Sequence, residues 1–179
     1  MNTQEKALEL LRIGTGNPEA EFRADQWEAI NLILNRKRLL LVEATGWGKS
    51  YVYFIATRIL RDAGKGLVIL ISPLLSLMRN QLEAAHRMGI CAATINSSNT
   101  EEWEEVYKQL ASNRLDILLV SPERLSNEQF LKFLRQNILA ELSFLIVDEA
   151  HCISDWGHDF RPDYQRIKRI INFLPADIK

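Results

Sequence analysis

Five short runs along the chain are built around unbroken stretches of Val, Ile, Leu, Phe and Ala. They are RLLLVEA at 38–44, GLVILIS at 66–72, ICAATI at 90–95, DILLVS at 116–121 and SFLIVDE at 143–149. None alternates apolar with polar. A strand covered on one face shows alternation, whereas a strand buried on both faces does not. Helical spacing fills the gaps: Trp27, Ile30 and Leu34 share a face, as do Trp103, Val106 and Leu110, and later Tyr164, Ile167, Ile171 and Leu174. Ser98 with Glu101 and Ser126 with Gln129 have the capping-box spacing that opens a helix. Strands alternating with helices predict an α/β fold, a doubly wound parallel sheet with helices on both faces. In such sheets ligands gather at the carboxyl ends of the strands.

Length and composition bound the rest. A chain of 179 residues that is 47 % apolar suits one domain with a sizeable core. No apolar run reaches the ~18 residues that a membrane-crossing helix needs, so no membrane is expected as a partner. The start, MNTQEKALELL, lacks the basic-then-apolar order of a signal peptide. Two cysteines, Cys91 and Cys152, do not make a disulfide framework and suit a reducing compartment. A net charge of −1 gives no global sign of nucleic-acid binding, so any phosphate-binding surface must be local. Glu101, Glu102, Glu104 and Glu105 lie at a helix start, where they complement the helix dipole. Arg166, Lys168 and Arg169 read as a solvated helix face.

The first run leads directly into Ala44-Thr45-Gly46-Trp47-Gly48-Lys49-Ser50, followed by a helical stretch. Strand, glycine-rich turn and helix is the context of a phosphate loop, in which backbone N–H groups and the helix N-terminus cradle phosphates. Lys49 would reach the β- and γ-phosphates and Ser50 would hold Mg²⁺. Glu43 stands where the general pattern has its first glycine, and Trp47 takes a usually small position. A glycine-rich turn with an incidental lysine is the plain alternative. The fifth run ends in Asp148-Glu149-Ala150-His151. Asp148, at the strand's end, can hold the metal, and Glu149 can orient or deprotonate a water. Alone, the carboxylates could be surface loop residues; with Lys49 upstream they predict a nucleoside triphosphatase.

Taken together these stretches resemble the first motor domain of a superfamily 2 helicase, and within it the RecQ family of DNA helicases. FRADQWEAI at 22–30 is similar to the adenine-reading motif of that family, ISPLLSLMRNQ at 71–81 and SPERL at 121–125 to its two DNA-path motifs, and DEAHCISDWGHDFRPDY at 148–164 to its catalytic motif joined to an aromatic-rich loop. The resemblance implies a RecA-like P-loop domain that uses ATP and Mg²⁺. It assigns Arg23, Gln26, Thr45, Gly46, Gly48, Lys49 and Ser50 to the nucleotide. Lys49, Asp148, Glu149 and His151 take the catalytic roles, and Ser50 and Asp148 hold Mg²⁺. Single-stranded DNA would run past Ser72, Leu74, Pro122, Arg124, Trp156, His158, Phe160 and Arg161, with backbone contacts important at the first of these. The partners so implied are single-stranded and duplex DNA and a second RecA-like domain, in a protein acting as a monomer. Its place would be the bacterial cytoplasm, at the nucleoid, or a eukaryotic nucleus.

Two departures bear on this. Gly16-Asn17-Pro18-Glu19-Ala20-Glu21 holds no aromatic residue to stack on adenine, where the family often has one. Past Asp163 only one helix and FLPADIK remain, so the expectation is a fragment: a single N-terminal motor domain over 1–179, with 1–21 a helical lead-in and the second motor domain absent. Two other readings stay open. One is a P-loop enzyme that does not act on DNA. The other is a zinc-dependent nucleic-acid-binding module on His151, Cys152, His158 and Asp159, although Cys152 is more simply a small buried residue.

Overall fold

Four of the five apolar runs become strands: β1 (Val68–Ile71), β2 (Ala92–Ile95), β3 (Ile117–Val120) and β4 (Phe144–Val147). All pair in parallel, in the order β2-β3-β1-β4. This is a computed structural model; it describes residues 2–73, 75–97, 99–153, 162–174 and 178, with the backbone alone at 75–80, 140, 153 and 162. Every residue of β1 and of β3 is fully buried. Successive side chains point to opposite faces, and each face has its own apolar cover. Ile69, Ile71, Leu118 and Val120 meet α5 (Trp103–Ala111), α6 (Glu128–Asn137), α7 (Pro162–Gln165) and α8 (Lys168–Ile171). Val68, Leu70, Ile117 and Leu119 meet α1 (Thr3–Thr15), α2 (Gln26–Leu34), α3 (Lys49–Asp62) and α4 (Leu75–Arg87). The doubly wound reading therefore holds, and the unbroken apolar runs have the expected cause.

The run at 38–44 is the exception, and the expectation of a strand there is corrected. It joins no ladder, and Leu40 and Val42 are 79 % and 80 % exposed. A strand exists only by its cross-strand hydrogen bonds, whatever the β-propensity of its residues. Both edges of β1 and of β3 are taken, and the 38–44 segment bonds to neither remaining edge. It still ends at the glycine-rich turn that opens α3, so the phosphate loop keeps half of its expected frame.

Helix boundaries show smaller corrections. Ser126 does not cap α6; it closes the preceding 3-10 turn and donates its hydroxyl to the Glu123 carbonyl at 2.7 Å. Asn127 is the cap, its Oδ1 accepting from the Phe130 N–H at 2.8 Å. Ser98 lies outside the described residues. A full capping box opens α1, between Asn2 and Glu5. The lead-in is packed rather than appended, with Ala7 and Leu11 buried on the α3 and α4 side of the sheet. At the far end the single expected helix is broken into α7 and α8. The break rotates the face, so that Ile170 is buried and Ile171 is 39 % exposed. Arg166 pairs with Asp163, and Arg169 reaches Glu128 at 2.7 Å, as befits an outer face.

Asp62 ties α1 to α3. It pairs with Arg58 one turn back and with Lys6 at 2.6 Å. The Arg58 guanidinium, opposed by partial burial and assisted by Lys6, holds the Asp62 carboxyl below its usual range. A depressed carboxyl contributes stability above its unfolded pKa of ~3.9, which is lost as pH falls through the folded value. Asp62→Asn should thus lower stability at pH 7, with the difference from the parent vanishing as urea melts are repeated below pH ~4. Asn127→Ala should cost ~1 kcal/mol, whereas Ser126→Ala should cost less than half of that. The reverse order in denaturant melts would put the cap back at Ser126.

Candidate nucleotide site

The strand register sets the site. Ile71 is level with Val120 and with Val147, and Val120 with Ile95. The next residue on each strand therefore falls in one row along the sheet's carboxyl end: Asn96, Ser121, Ser72 and Asp148. The ladder reaches into this row, where Ser121 N–H donates to the Ile95 carbonyl at 3.3 Å, Ser72 N–H to Val120 at 3.2 Å and Asp148 N–H to Ile71 at 2.9 Å. Asn96, Ser121 and Ser72 are buried, and neither serine hydroxyl has a hydrogen-bond partner among the described residues. A polar residue directly after each apolar run was the sequence signal for this row.

The turn after β4 is held tightly. Asp148 Oδ1 accepts from the Glu149 N–H at 3.0 Å, and the buried Tyr164 donates its hydroxyl to the Asp148 carbonyl at 2.8 Å. Glu149 has φ +50°, a left-handed conformation that a glutamate rarely adopts. Strain of this kind persists where surrounding bonds over-determine it, and it gathers at functional sites. Here the Cys152 N–H donates to the Glu149 carbonyl at 2.9 Å and His151 Nδ1 lies 3.3 Å from Glu149 Oε2. Cys152 itself is 3 % exposed inside the apolar cluster beneath α5 and α6. Its side chain packs the core, the plainer of its two readings.

The phosphate loop stands at the N-terminus of α3. Gly46 and Gly48 have φ +83° and +101°, so its turns need glycine. Lys49 Nζ donates to the loop's own carbonyls, Glu43 at 2.6 Å and Ala44 at 3.3 Å. Thr45 is exposed on the rim. Arg23 donates to the Gly46 carbonyl at 2.7 Å. Gln26 is 2 % exposed and engaged at both ends: its Oε1 accepts from Arg23 N–H at 3.1 Å and its Nε2 donates to the Gly48 carbonyl at 3.3 Å. As it stands, Gln26 braces the loop and would have to release a bond to read a base.

A chain of hydrogen bonds, buried at its centre, joins the loop to the β4 turn. Tyr53, one turn into α3, donates to Ser50 Oγ at 3.1 Å. Gln81 of α4 donates to the Tyr53 hydroxyl at 2.9 Å and to Asp148 Oδ2 at 3.4 Å. Burial first, and then the charge of Asp148, pushes the Tyr53 phenol far up, so it remains a neutral donor. Nothing in the sequence marks Tyr53, and Gln81 is only the last residue of ISPLLSLMRNQ. Ser50 and Asp148, the two residues named for a metal, are thus brought to one side of the sheet. Their hydroxyl and carboxylate are hard oxygen donors, the chemistry that suits Mg²⁺.

Of the residues placed on a DNA path, Ser72 and Pro122 are buried and offer little side chain. The Arg124 guanidinium lies 3.7 Å from the Trp103 ring centroid and 5.6 Å from that of Phe130. Leu74, Trp156, His158, Phe160 and Arg161 lie outside the described residues. Among the described residues no group of three His, Cys, Asp or Glu is arranged for a metal ion, and no helix is long and apolar enough to cross a membrane.

A parallel sheet with a glycine-rich phosphate loop at one helix N-terminus and an acidic turn at its carboxyl end defines a nucleotide-handling α/β domain. The chain belongs to the DEAD/DEAH box helicase family, whose model matches residues 23–179. It is 42 % identical to an ATP-dependent DNA helicase RecQ from Haemophilus influenzae over 82 % of this chain and 23 % of that one. It is 40 % identical to the RecQ of Bacillus subtilis over 86 % of this chain and 25 % of that one. It is 37 % identical to the helicase SGS1 of Saccharomyces cerevisiae over 82 % and 10 %. The chain thus spans about a quarter of the bacterial relatives. A hypothetical ATP-dependent RNA helicase from Sulfolobus tokodaii shares the fold, with a TM-score of 0.71 at 21 % identity over all of this chain and 49 % of that one.

The contact of Arg124 with Trp103 is internal and needs no DNA. Arg124→Ala should therefore destabilise the protein alone by ~1 kcal/mol, the size of a partly desolvated cation–π pair. Denaturant melts followed by tryptophan fluorescence would show it, and an unchanged midpoint would free Arg124 for a ligand.

Proposed function

We propose that this chain is the ATP-binding motor domain of a RecQ-type DNA helicase, which couples ATP hydrolysis to movement on single-stranded DNA, 3′ to 5′, and to duplex unwinding. The observation that carries the reading is the joining of the phosphate loop to the acidic turn through Ser50, Tyr53, Gln81 and Asp148. A P-loop enzyme indifferent to DNA would explain that geometry, but not the relatives, which are named DNA helicases. A zinc module explains neither.

The residues then divide the work. The loop N–H groups and the α3 N-terminus bind phosphates, and Lys49 leaves the Glu43 and Ala44 carbonyls to pair with them. Ser50 and Asp148 would hold Mg²⁺, which when bound would neutralise charge on the phosphates. Glu149 orients the attacking water and accepts its proton, with His151 beside it fixing the carboxylate. Arg23 and Gln26 border the base. Trp156, His158, Phe160 and Arg161 serve single-stranded DNA, where each stacked base is worth ~1–3 kcal/mol. Docking there repositions Glu149 through the intervening turn. A second motor domain of the full-length protein supplies an arginine worth ~10³–10⁵ in rate, by the pattern of other P-loop enzymes. The protein works as a monomer where its DNA lies, in a bacterial nucleoid or a nucleus.

The deciding measurement is ATP turnover in the full-length protein with and without single-stranded DNA. Stimulation by DNA is expected, with loss of nucleotide binding in Lys49→Ala. Glu149→Gln should keep nucleotide binding while turnover falls ~10²–10⁴-fold. Trp156→Ala should reduce the DNA stimulation and leave nucleotide binding intact. Turnover indifferent to DNA would sink the helicase reading, and a residue 1–179 chain turning over near ~1 s⁻¹ with DNA would remove the need for a second domain.

A further inference from the structure

Gln81 is 7 % exposed, yet it makes an uncommon set of contacts for a buried amide. Its Nε2 serves two acceptors, the Tyr53 hydroxyl at 2.9 Å and Asp148 Oδ2 at 3.4 Å, while its Oε1 is buried without a partner among the described residues. The orientation of the amide is fixed by chemistry, because a carboxylate only accepts and must face the NH₂ group. Tyr53 has one proton and gives it to Ser50 Oγ at 3.1 Å, so its lone pair is what Gln81 engages. An orphaned buried acceptor costs ~1–3 kcal/mol, which a packing role alone does not repay, since Leu or Met would fill the same space without it.

We infer that Gln81 and Tyr53 are positioning residues for the metal site: together they hold the Ser50 hydroxyl and the Asp148 carboxylate in fixed relation across the sheet. The inference rests on the nucleotide reading above and deepens it. Ser50 and Asp148 come from different elements, the first turn of α3 and the end of β4, 98 positions apart in the chain. No hydrogen bond joins them directly among the described residues. Gln81 and Tyr53 are the bridge, and α4, which carries Gln81, is thereby tied to both. Partners that orient metal-holding groups in this way change metal affinity ~10–100-fold when removed.

Tyr53→Phe removes one oxygen and keeps the ring that packs edge-on against Phe54, with centroids 4.8 Å apart. Gln81→Leu keeps the volume and removes the amide. Binding of a fluorescent ATP analogue to the full-length protein would be titrated with Mg²⁺, and measured again in EDTA. Each variant should need ~10-fold more Mg²⁺ for half-maximal effect while metal-free nucleotide binding changes less than 2-fold. The double variant should be little worse than either, because the two act as one unit. A parental Mg²⁺ dependence in Tyr53→Phe would overturn the inference, even if Gln81→Leu failed to fold. Weakened binding equal in Mg²⁺ and in EDTA would also overturn it, marking the pair as structural. If Lys49→Ala bound nucleotide as well as the parent, the nucleotide reading itself would fall, an outcome separable from the others.

Discussion

The in-register parallel pairing of β1 with β3 and β4 is the constraint on which the rest depends. Because Ile71, Val120 and Val147 are level, one polar residue from each strand arrives in the same row. Ladder bonds to Ser72, Ser121 and Asp148 pin that row to the backbone of the neighbouring strand. A slip of one residue would turn every strand side chain to the opposite face. It would put Val147 at the site and Asp148 out of it. The two apolar clusters forbid the slip, because each face of β1 and β3 is already filled. The core's main consequence for the candidate site is therefore the position of one carboxylate.

Around that row the polar groups are few and mutually tied. Ser50, Tyr53, Gln81, Asp148 and Tyr164 form one connected set that ties α3, α4 and α7 to the end of β4. Buried polar chains of this kind are costly when half satisfied and specifying when complete. Among the described residues the buried side-chain atoms without a partner are the Ser72 and Ser121 hydroxyls at the sheet's carboxyl end, Gln81 Oε1 reaching toward it, and Arg124 Nε in the turn just after β3. A domain that binds a polar ligand there has reason to keep unpaired groups at that end.

The loop side is adapted differently. Glycines supply backbone turns at positive φ, and Lys49 rests on the loop's carbonyls. Arg23 and Gln26 brace the same turn from the 23–26 segment. The loop thus has internal partners that a phosphate can displace, which keeps a cationic, glycine-rich turn ordered without its ligand. Glu149 takes the opposite course, holding an unfavourable backbone conformation in place through its neighbours' bonds.

The layer order, the two-sided burial of the strands and the chemistry of both motif ends are legible in the sequence alone. These are local: unbroken apolar runs, a glycine-rich turn and an acidic pair can be read residue by residue. It could not decide which runs pair, since 38–44 has as strong a β pattern as 116–121 and yet joins no ladder. Pairing is a property of two edges. Nor could it separate Ser126 from Asn127 as a cap, or foresee that a break between α7 and α8 turns Ile170 inward in place of Ile171. One-residue shifts of that sort follow from backbone geometry that many sequences share. Above all, only the tertiary structure brought Tyr53 and Gln81 between Ser50 and Asp148. Their spacing along the chain carries no signal, because their meeting depends on how α3 and α4 stack over the same face of the sheet.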